Sequence, residues 1–179
     1  MAIDETRRFT PVNIALLTVS DTRGPDEDTS GDILAARIDS AGHNLAARTL
    51  LRDDAALIAA QLDAWIADPD IDTVISTGGT GLTGRDVTPE ALDRVRDAHG
   101  GKDIPGFGEV FRYLSLQTIG TSTVQSRACA VVADGTYLFA LPGSNGAVKD
   151  GWDGILSEQL DSRNRPCNFV ELMPRLREK

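Results

Sequence analysis

Apolar and polar positions fall along this chain in blocks of two kinds. Val12–Val19, His43–Leu51, Thr73–Thr77, Ala128–Ala133 and Thr136–Leu141 are short runs rich in aliphatic and β-branched residues. Runs of that length, apolar on both faces in the first and third, predict strands of a buried and mainly parallel sheet. Between them lie apolar stripes at helical spacing: Leu34 with Ile38; Ile58, Leu62, Trp65 and Ile66; Leu92 with Val95; Phe107, Val110, Phe111 and Leu114; then Trp152, Ile155, Leu156 and Leu160. Each predicts an amphipathic helix with its stripe on the sheet. Thr29, with Asp32 three residues on, reads as the N-cap of the first helix, and Gly42 as its end. Asp134-Gly135 joins the last two strands, whereas Thr121–Arg127 is polar and shows no period. Strands and helices in alternation predict a three-layer α/β fold. The chain reads as one domain over residues 1–179, with a flexible tail at 1–10 and an extension at 161–179 packed on the body.

One stretch carries most of the candidate chemistry. From Asp72 to Glu90 a β-branched strand feeds Gly78, Gly79, Gly81 and Gly84, and Thr88 reads as the cap of a helix with Pro89 at its first position. A strand, a glycine loop and a helix start are how an open α/β sheet holds an anion. Gly79–Gly84 matches the dinucleotide fingerprint G-x-G-x-x-G, but Arg85, Asp86 and Val87 separate it from the helix, which that fingerprint must open directly. No Gly-Lys-[Ser/Thr] of a Walker loop follows.

Ligands of such sheets bind at the carboxyl ends of the strands. Those positions hold Ser20, Asp21 and Thr22 after the first strand, Asp53 and Asp54 after the second, Thr77–Gly81 with Asp86 after the third, and Gly143–Gly146 after the last. Two glycine turns beside several carboxylates suit nucleotide phosphates with Mg²⁺, which is held through one or two carboxylates and waters. Each residue also has a plainer reading. Asp21 and Asp28 suit solvated loop positions, and Asp53 or Asp54 could cap the next helix. His43 and His99 read as structural or solvent-facing, and Trp65 and Trp152 as core.

Composition narrows the picture. Formal net charge is −9 with no basic stripe, against a nucleic-acid partner. No apolar run approaches the roughly 20 residues of a membrane span, and the first ten residues are polar, so no membrane role and a cytoplasmic location are expected. The two cysteines, Cys129 and Cys167, lack metal or redox spacing.

Together, Thr77-Gly78-Gly79-Thr80-Gly81, Arg85-Asp86-Val87-Thr88-Pro89-Glu90-Ala91 and Pro105-Gly106-Phe107-Gly108-Glu109 form a specific pattern. It resembles the MoaB/MogA family of molybdenum cofactor biosynthesis proteins, and the likeness extends to Val19-Ser20-Asp21, Gln125-Ser126-Arg127-Ala128 and Leu141-Pro142-Gly143-Ser144. The tail Gln159–Phe169 is similar to that of the B-type branch. The resemblance implies the molybdopterin-binding fold and a Mg²⁺-dependent adenylyltransferase, in which the terminal phosphate of molybdopterin attacks the α-phosphorus of ATP. It implies Asp53 and Asp86 as the catalytic and metal-holding carboxylates. Ser20, Asp21, Thr77, Gly78, Gly79, Thr80, Gly81, Ser126, Pro142, Gly143 and Ser144 fall to substrate contact. It also implies a homotrimer or homohexamer and a molybdenum-insertion enzyme as a partner. Where much of the A-type branch has Pro-Gly-Asn-Pro-Asn, this chain has Pro142-Gly143-Ser144-Asn145-Gly146, a turn without the second proline. A non-catalytic pterin-binding protein is the alternative, and a dinucleotide-dependent oxidoreductase a remote one.

Overall fold

The strands that pair on both sides are the most buried ones. The computed structural model describes residues 3–178. Its elements are β1 (Asn13–Val19), α1 (Thr29–Ser40), β2 (Asn44–Leu51), α2 (Ala55–Ile66), β3 (Thr73–Thr77), α3 (Thr88–Ala98), β4 (Lys102–Asp103), α4 (Pro105–Ile119), β5 (Cys129–Ala133), β6 (Thr136–Leu141) and α5 (Asn145–Gly151). A π-helical turn at Trp152–Leu156 leads to α6 (Ser157–Gln159), and α7 (Phe169–Leu172) follows. The strands form one sheet in the order β2-β1-β3-β6-β5-β4. β2, β1, β3 and β6 run parallel, while β5 is antiparallel to both β6 and β4. β3 and β6 are buried at every residue, whereas β2 lies at an edge and has no buried residue, only exposed and half-buried ones.

Alternate residues of each strand face opposite layers. Ile14, Leu16, Ile75 and Phe139 pack with Leu34, Ile38, Phe111, Val148 and Trp152, from α1, α4, α5 and the π turn. Ala15, Leu17, Val74 and Leu138 pack with Ile58, Leu62, Leu92 and Val95, from α2 and α3. The result is the expected helix–sheet–helix sandwich. β4 is only two residues long and carries no pattern that could have announced it.

Four local expectations change. Thr29 is the first residue of α1, and the cap is Asp28, whose carboxylate accepts from the Gly31 amide. Asp28 is also not a solvated acid: it is buried, accepts from the Thr18 hydroxyl at 2.7 Å and pairs with Arg48 at 2.8 Å. Burial alone would raise its carboxyl, but Arg48, Thr18 and the Gly31 amide together hold it below the ordinary value. Removing one partner of such a pair leaves an uncompensated charge, at a cost of about 3–5 kcal/mol when burial is complete. The pair ties β1, β2 and the start of α1 together, so it fixes both ends of the Ser20–Asp28 loop. Thr88, in turn, does not cap α3; it is buried and donates to Gly78 O at 2.9 Å.

The fourth change concerns the N-terminal segment. Residues 3–10, expected as a flexible tail, are docked on the C-terminal extension. Ile3 bridges Asn164, the Asp4 amide donates to Arg163 O at 3.0 Å, and the Thr10 amide donates to Ser162 Oγ at 2.9 Å. The extension itself packs on the body as expected, with Phe169 4.8 Å from the Tyr137 ring. His43 is structural: its Nδ1 accepts from the Val12 amide at 3.2 Å, and burial pushes it below the ordinary histidine value.

Candidate active site

Four parallel strands deliver their following loops to one rim of the sheet. β5 runs the other way, and Cys129 at its amino end lies opposite Ala140 near the end of β6. Gln125–Ala128 therefore reach the same rim from the opposite direction. Between these loops, α4 and α5 lies a cleft of about 780 Å³, within the range of small-molecule sites.

The loops converge on Gly78. Its φ is +101°, and a Cβ there would stand 2.1 Å from Val19 O, a backbone atom. Only glycine accepts both conditions. On the other side, a Cβ on Gly143 would stand 3.2 Å from Gly78 Cα, and the Gly78 amide donates to Leu141 O at 3.0 Å. The loops after β1, β3 and β6 thus touch at one glycine. Thr77, expected at the ligand, is fully buried instead and donates to Pro142 O at 3.2 Å. It is a tie between two loops, since the end of a central strand has no free face.

The carboxylates lie against the glycines, Asp53 from the loop after β2 and Asp86 from the glycine loop itself. A Cβ on Gly79 would stand 2.6 Å from Asp53 Oδ1, and one on Gly81 2.7 Å from Asp86 Oδ2. The neighbouring Asp54 takes the capping role, accepting from the Ala56 and Leu57 amides, which leaves Asp53 for the cleft. Asp21 Oδ1 accepts from the Asp53 amide at 3.2 Å, and Asp21 pairs with Arg85 at 3.1 Å. Ser20, Asp21, Thr80, Ser126, Pro142, Gly143 and Ser144 also line the cleft, so of the expected site residues Thr77 alone is absent from its wall. The Ser20 hydroxyl accepts from the Thr22 and Arg23 amides and so shapes the first loop.

The comparisons with known proteins accord with this geometry. A model described as a probable molybdopterin binding domain matches residues 15–162. Molybdenum cofactor biosynthesis protein B of Escherichia coli strain K12 is 49% identical over 161 residues, 90% of this chain and 92% of its own. That of Halalkalibacterium halodurans is 40% identical over 163 residues, 89% of this chain and 94% of its own. The chain belongs to the MoaB/MogA family. Among solved structures, one titled molybdenum cofactor biosynthesis protein B superposes with TM-score 0.81 at 36% identity, covering 86% of this chain and 94% of that one. The tungsten cofactor synthesizing protein MoaB from Pyrococcus furiosus superposes with TM-score 0.76 at 32% identity, over 94% and 98% of the two chains.

Within the MoaB/MogA fold the two principal carboxylates differ in character. Burial, then the like charges of Asp21 and Asp86, push Asp53 above the ordinary carboxylate value, against weaker pulls from Arg85 and the Asp21 amide. Asp86 is held below it by the Thr83 hydroxyl, then, against burial, by the Thr83 and Gly81 amides and Arg127. Its Oδ2 accepts from the Thr83 amide at 2.9 Å and hydroxyl at 2.6 Å. Among the described residues no three metal-binding side chains gather at one point. A cation fits a carboxylate destabilised by like charges, as Asp53 is, and Mg²⁺ ordinarily completes its shell from phosphate oxygens and water.

Ser144 explains the altered turn of this MoaB-like chain. Its hydroxyl caps α5 by accepting from the Ala147 amide at 3.2 Å, and Asn145 Oδ1 accepts from the Thr29 hydroxyl at 3.0 Å. Both fix the loop where the second proline is missing. Sequence reasoning missed Arg23, which donates to Gly143 O at 3.2 Å, and the hydroxyl-rich wall of Ser115, Thr118, Ser122 and Thr123. The wall faces the cleft from α4 and the turn after it, elements that no strand-end search would visit.

The raised value of Asp53 has a consequence for stability. In the unfolded chain an aspartate titrates near about 3.9. Folded Asp53 keeps its proton to higher pH, so ionising it weakens the fold as pH rises through the folded value. At neutral pH that penalty is complete. Asp53→Asn is therefore expected to unfold at a higher temperature than wild type at pH 7 in chelator, with the gap closing below about pH 4. A midpoint equal to or below wild type at pH 7, measured by calorimetry, would contradict the electrostatic account.

Proposed function

We propose that this protein acts in molybdenum cofactor biosynthesis as a Mg²⁺-dependent adenylyltransferase. The terminal phosphate oxygen of molybdopterin attacks the α-phosphorus of ATP; the α–β bridging bond breaks, and pyrophosphate leaves with its electron pair. The product is adenylylated molybdopterin, which a molybdenum-insertion enzyme would then consume. The observation that carries this reading is the placing of Asp53 against the glycine loop and of Asp86 within it, in a cleft formed by the rim loops. Transfer between phosphates needs positioning and charge stabilisation more than covalent help. Asp53 and Asp86 would hold the ion, which when bound neutralises charge developing on the phosphate oxygens. The Gly78–Gly81 backbone, free of Cβ atoms, gives amides close access to the phosphates. Arg23 and Arg85 line the same cleft and add positive charge at its mouth.

The non-catalytic alternative is less well supported, because Asp54 rather than Asp53 caps α2. A dinucleotide role is disfavoured by α3 beginning at Thr88, beyond the Gly79–Gly84 match.

Asp86→Asn is expected to fold normally, since an amide oxygen can still accept from Thr83, and to lose turnover by at least about 100-fold. Release of pyrophosphate from saturating Mg-ATP in the presence of molybdopterin measures it, with circular dichroism as the control for folding. Turnover within about threefold of wild type would remove Asp86 from the mechanism.

Self-association as a homotrimer or homohexamer belongs to the same proposal, but its face differs from the tail residues Phe169, Leu172 and Met173. Phe169 and Met173 pack against the chain's own core. Val110, Tyr113, Leu116 and Ile119, spaced by three along α4, are instead exposed, as is Val124 beyond it. Glu109 and Arg112 supply the only charges on α4, so this face meets a copy of itself with little repulsion despite the net charge of −9. Light scattering is expected to show an oligomer that Tyr113→Glu weakens by at least about tenfold in dissociation constant. A wild-type monomer at micromolar concentration would rule it out.

A further inference from the structure

We propose that Arg127 is a positioning residue of this site, whose guanidinium holds the Gly78–Val87 loop in the shape that presents Asp86 and the glycine amides to the cleft. The assignment rests on the reading of the cleft as the reaction site. Arg127 precedes β5 and reaches across to the neighbouring loop. Its Nε donates to Gly81 O at 2.7 Å, and its Nη2 to Asp86 O at 2.7 Å. Its Nη1 pairs with Glu90 in the first turn of α3, and its own amide donates to Thr80 O at 3.1 Å. Nε and one Nη share an edge of a rigid planar fork, so a single group clasps two carbonyls five residues apart.

The loop has few other restraints. Leu82, Thr83, Gly84 and Arg85 are exposed, and nothing stands within 4 Å of a Cβ built on Gly84. Apart from Arg127, Thr83 and Asp86 bond to each other across the loop, Thr88 closes its base on Gly78 and Gly79, and Arg85 pairs outward with Asp21. The catalytic carboxylate is thus itself half of the closure, and it needs a second clasp to keep its direction. Arg127 also joins the glycine loop to Ser126, its neighbour in the chain, and so couples the two walls of the cleft. A misplacement of about 1 Å in such a site costs on the order of 100-fold in rate, so a clasp of this kind belongs to the reaction as much as to the fold.

A purely structural arginine would lower the unfolding temperature and leave the folded enzyme's rate and loop dynamics alone. Three variants separate the cases: Arg127→Ala, Arg127→Lys, and Arg96→Ala as a control. Arg96 also makes several bonds, to Asp93, Asp97 and Asp103, but away from the cleft. In Arg127→Ala, amide exchange across residues 80–86 is expected to speed up at least about tenfold and kcat to fall about 100-fold. Arg127→Lys keeps the charge but not the fork, so it should restore neither the slow exchange nor kcat. Arg96→Ala should match wild type in both readouts. Unchanged exchange in Arg127→Ala, or faster exchange with undiminished kcat, would overturn the proposal. If wild type transfers no adenylyl group, the functional reading fails by itself, and the exchange measurement still decides whether Arg127 orders the loop.

Discussion

The site depends on one close approach of backbone to backbone. At Gly78 the chain leaves β3 with positive φ and passes so near Val19 O that no side-chain carbon fits between them. Gly143 closes the third side. Loops from three strands can then share a wall without side chains holding them apart. The amides and carbonyls brought together are largely paired with each other: Gly78 with Leu141, and Thr88 with both Gly78 and Gly79. That pairing matters because an unpartnered buried backbone group costs about as much as a lost hydrogen bond.

Around this junction the charges are arranged at some cost to the fold. Asp21, Asp53 and Asp86 line one cleft, and their mutual repulsion contributes to raising Asp53. Elsewhere the protein pairs its buried acids: Asp28 with Arg48, and Asp161 with Arg163. Asp86 is supplied with donors from its own loop, while Asp53 is left with weaker compensation. Unrelieved negative charge of this kind is common at functional sites and rare where an acid serves packing alone. A cation arriving with phosphates would relieve it, which links binding to stability in the same residue.

Much of this was legible in the residues. Apolar runs placed the strands, and the strand-end rule found Asp53, Asp86 and both glycine turns, because in a parallel sheet every carboxyl end shares one rim. Ser126 came from family likeness alone, although the Asp134-Gly135 turn could have located it: a hairpin reverses β5 and brings its amino end to that rim. The caps were misassigned at Thr29 and Thr88 because a threonine hydroxyl donates as readily as it accepts, and sequence does not say which partner it meets. Asp28 looked like one more loop acid, since its partners Thr18 and Arg48 lie on two different strands. For the same reason Thr77 was expected at the ligand and Arg127 was given no role. Each acts on a loop distant in sequence, through contacts that exist only once the sheet is assembled.

The central claim is that the Gly78 junction creates a phosphate-binding cleft. A pair of glycines in the same loop tests it most directly. Gly78→Ala forces a Cβ against Val19 O, whereas Gly84→Ala meets nothing within 4 Å. Calorimetric titration of Mg-ATP into both variants, with circular dichroism confirming that each is folded, isolates the junction from the loop's composition. The account predicts affinity at least about tenfold weaker in Gly78→Ala, a loss of about 1.4 kcal/mol or more, and within about twofold of wild type in Gly84→Ala. A folded Gly78→Ala protein that binds Mg-ATP as wild type does would contradict it.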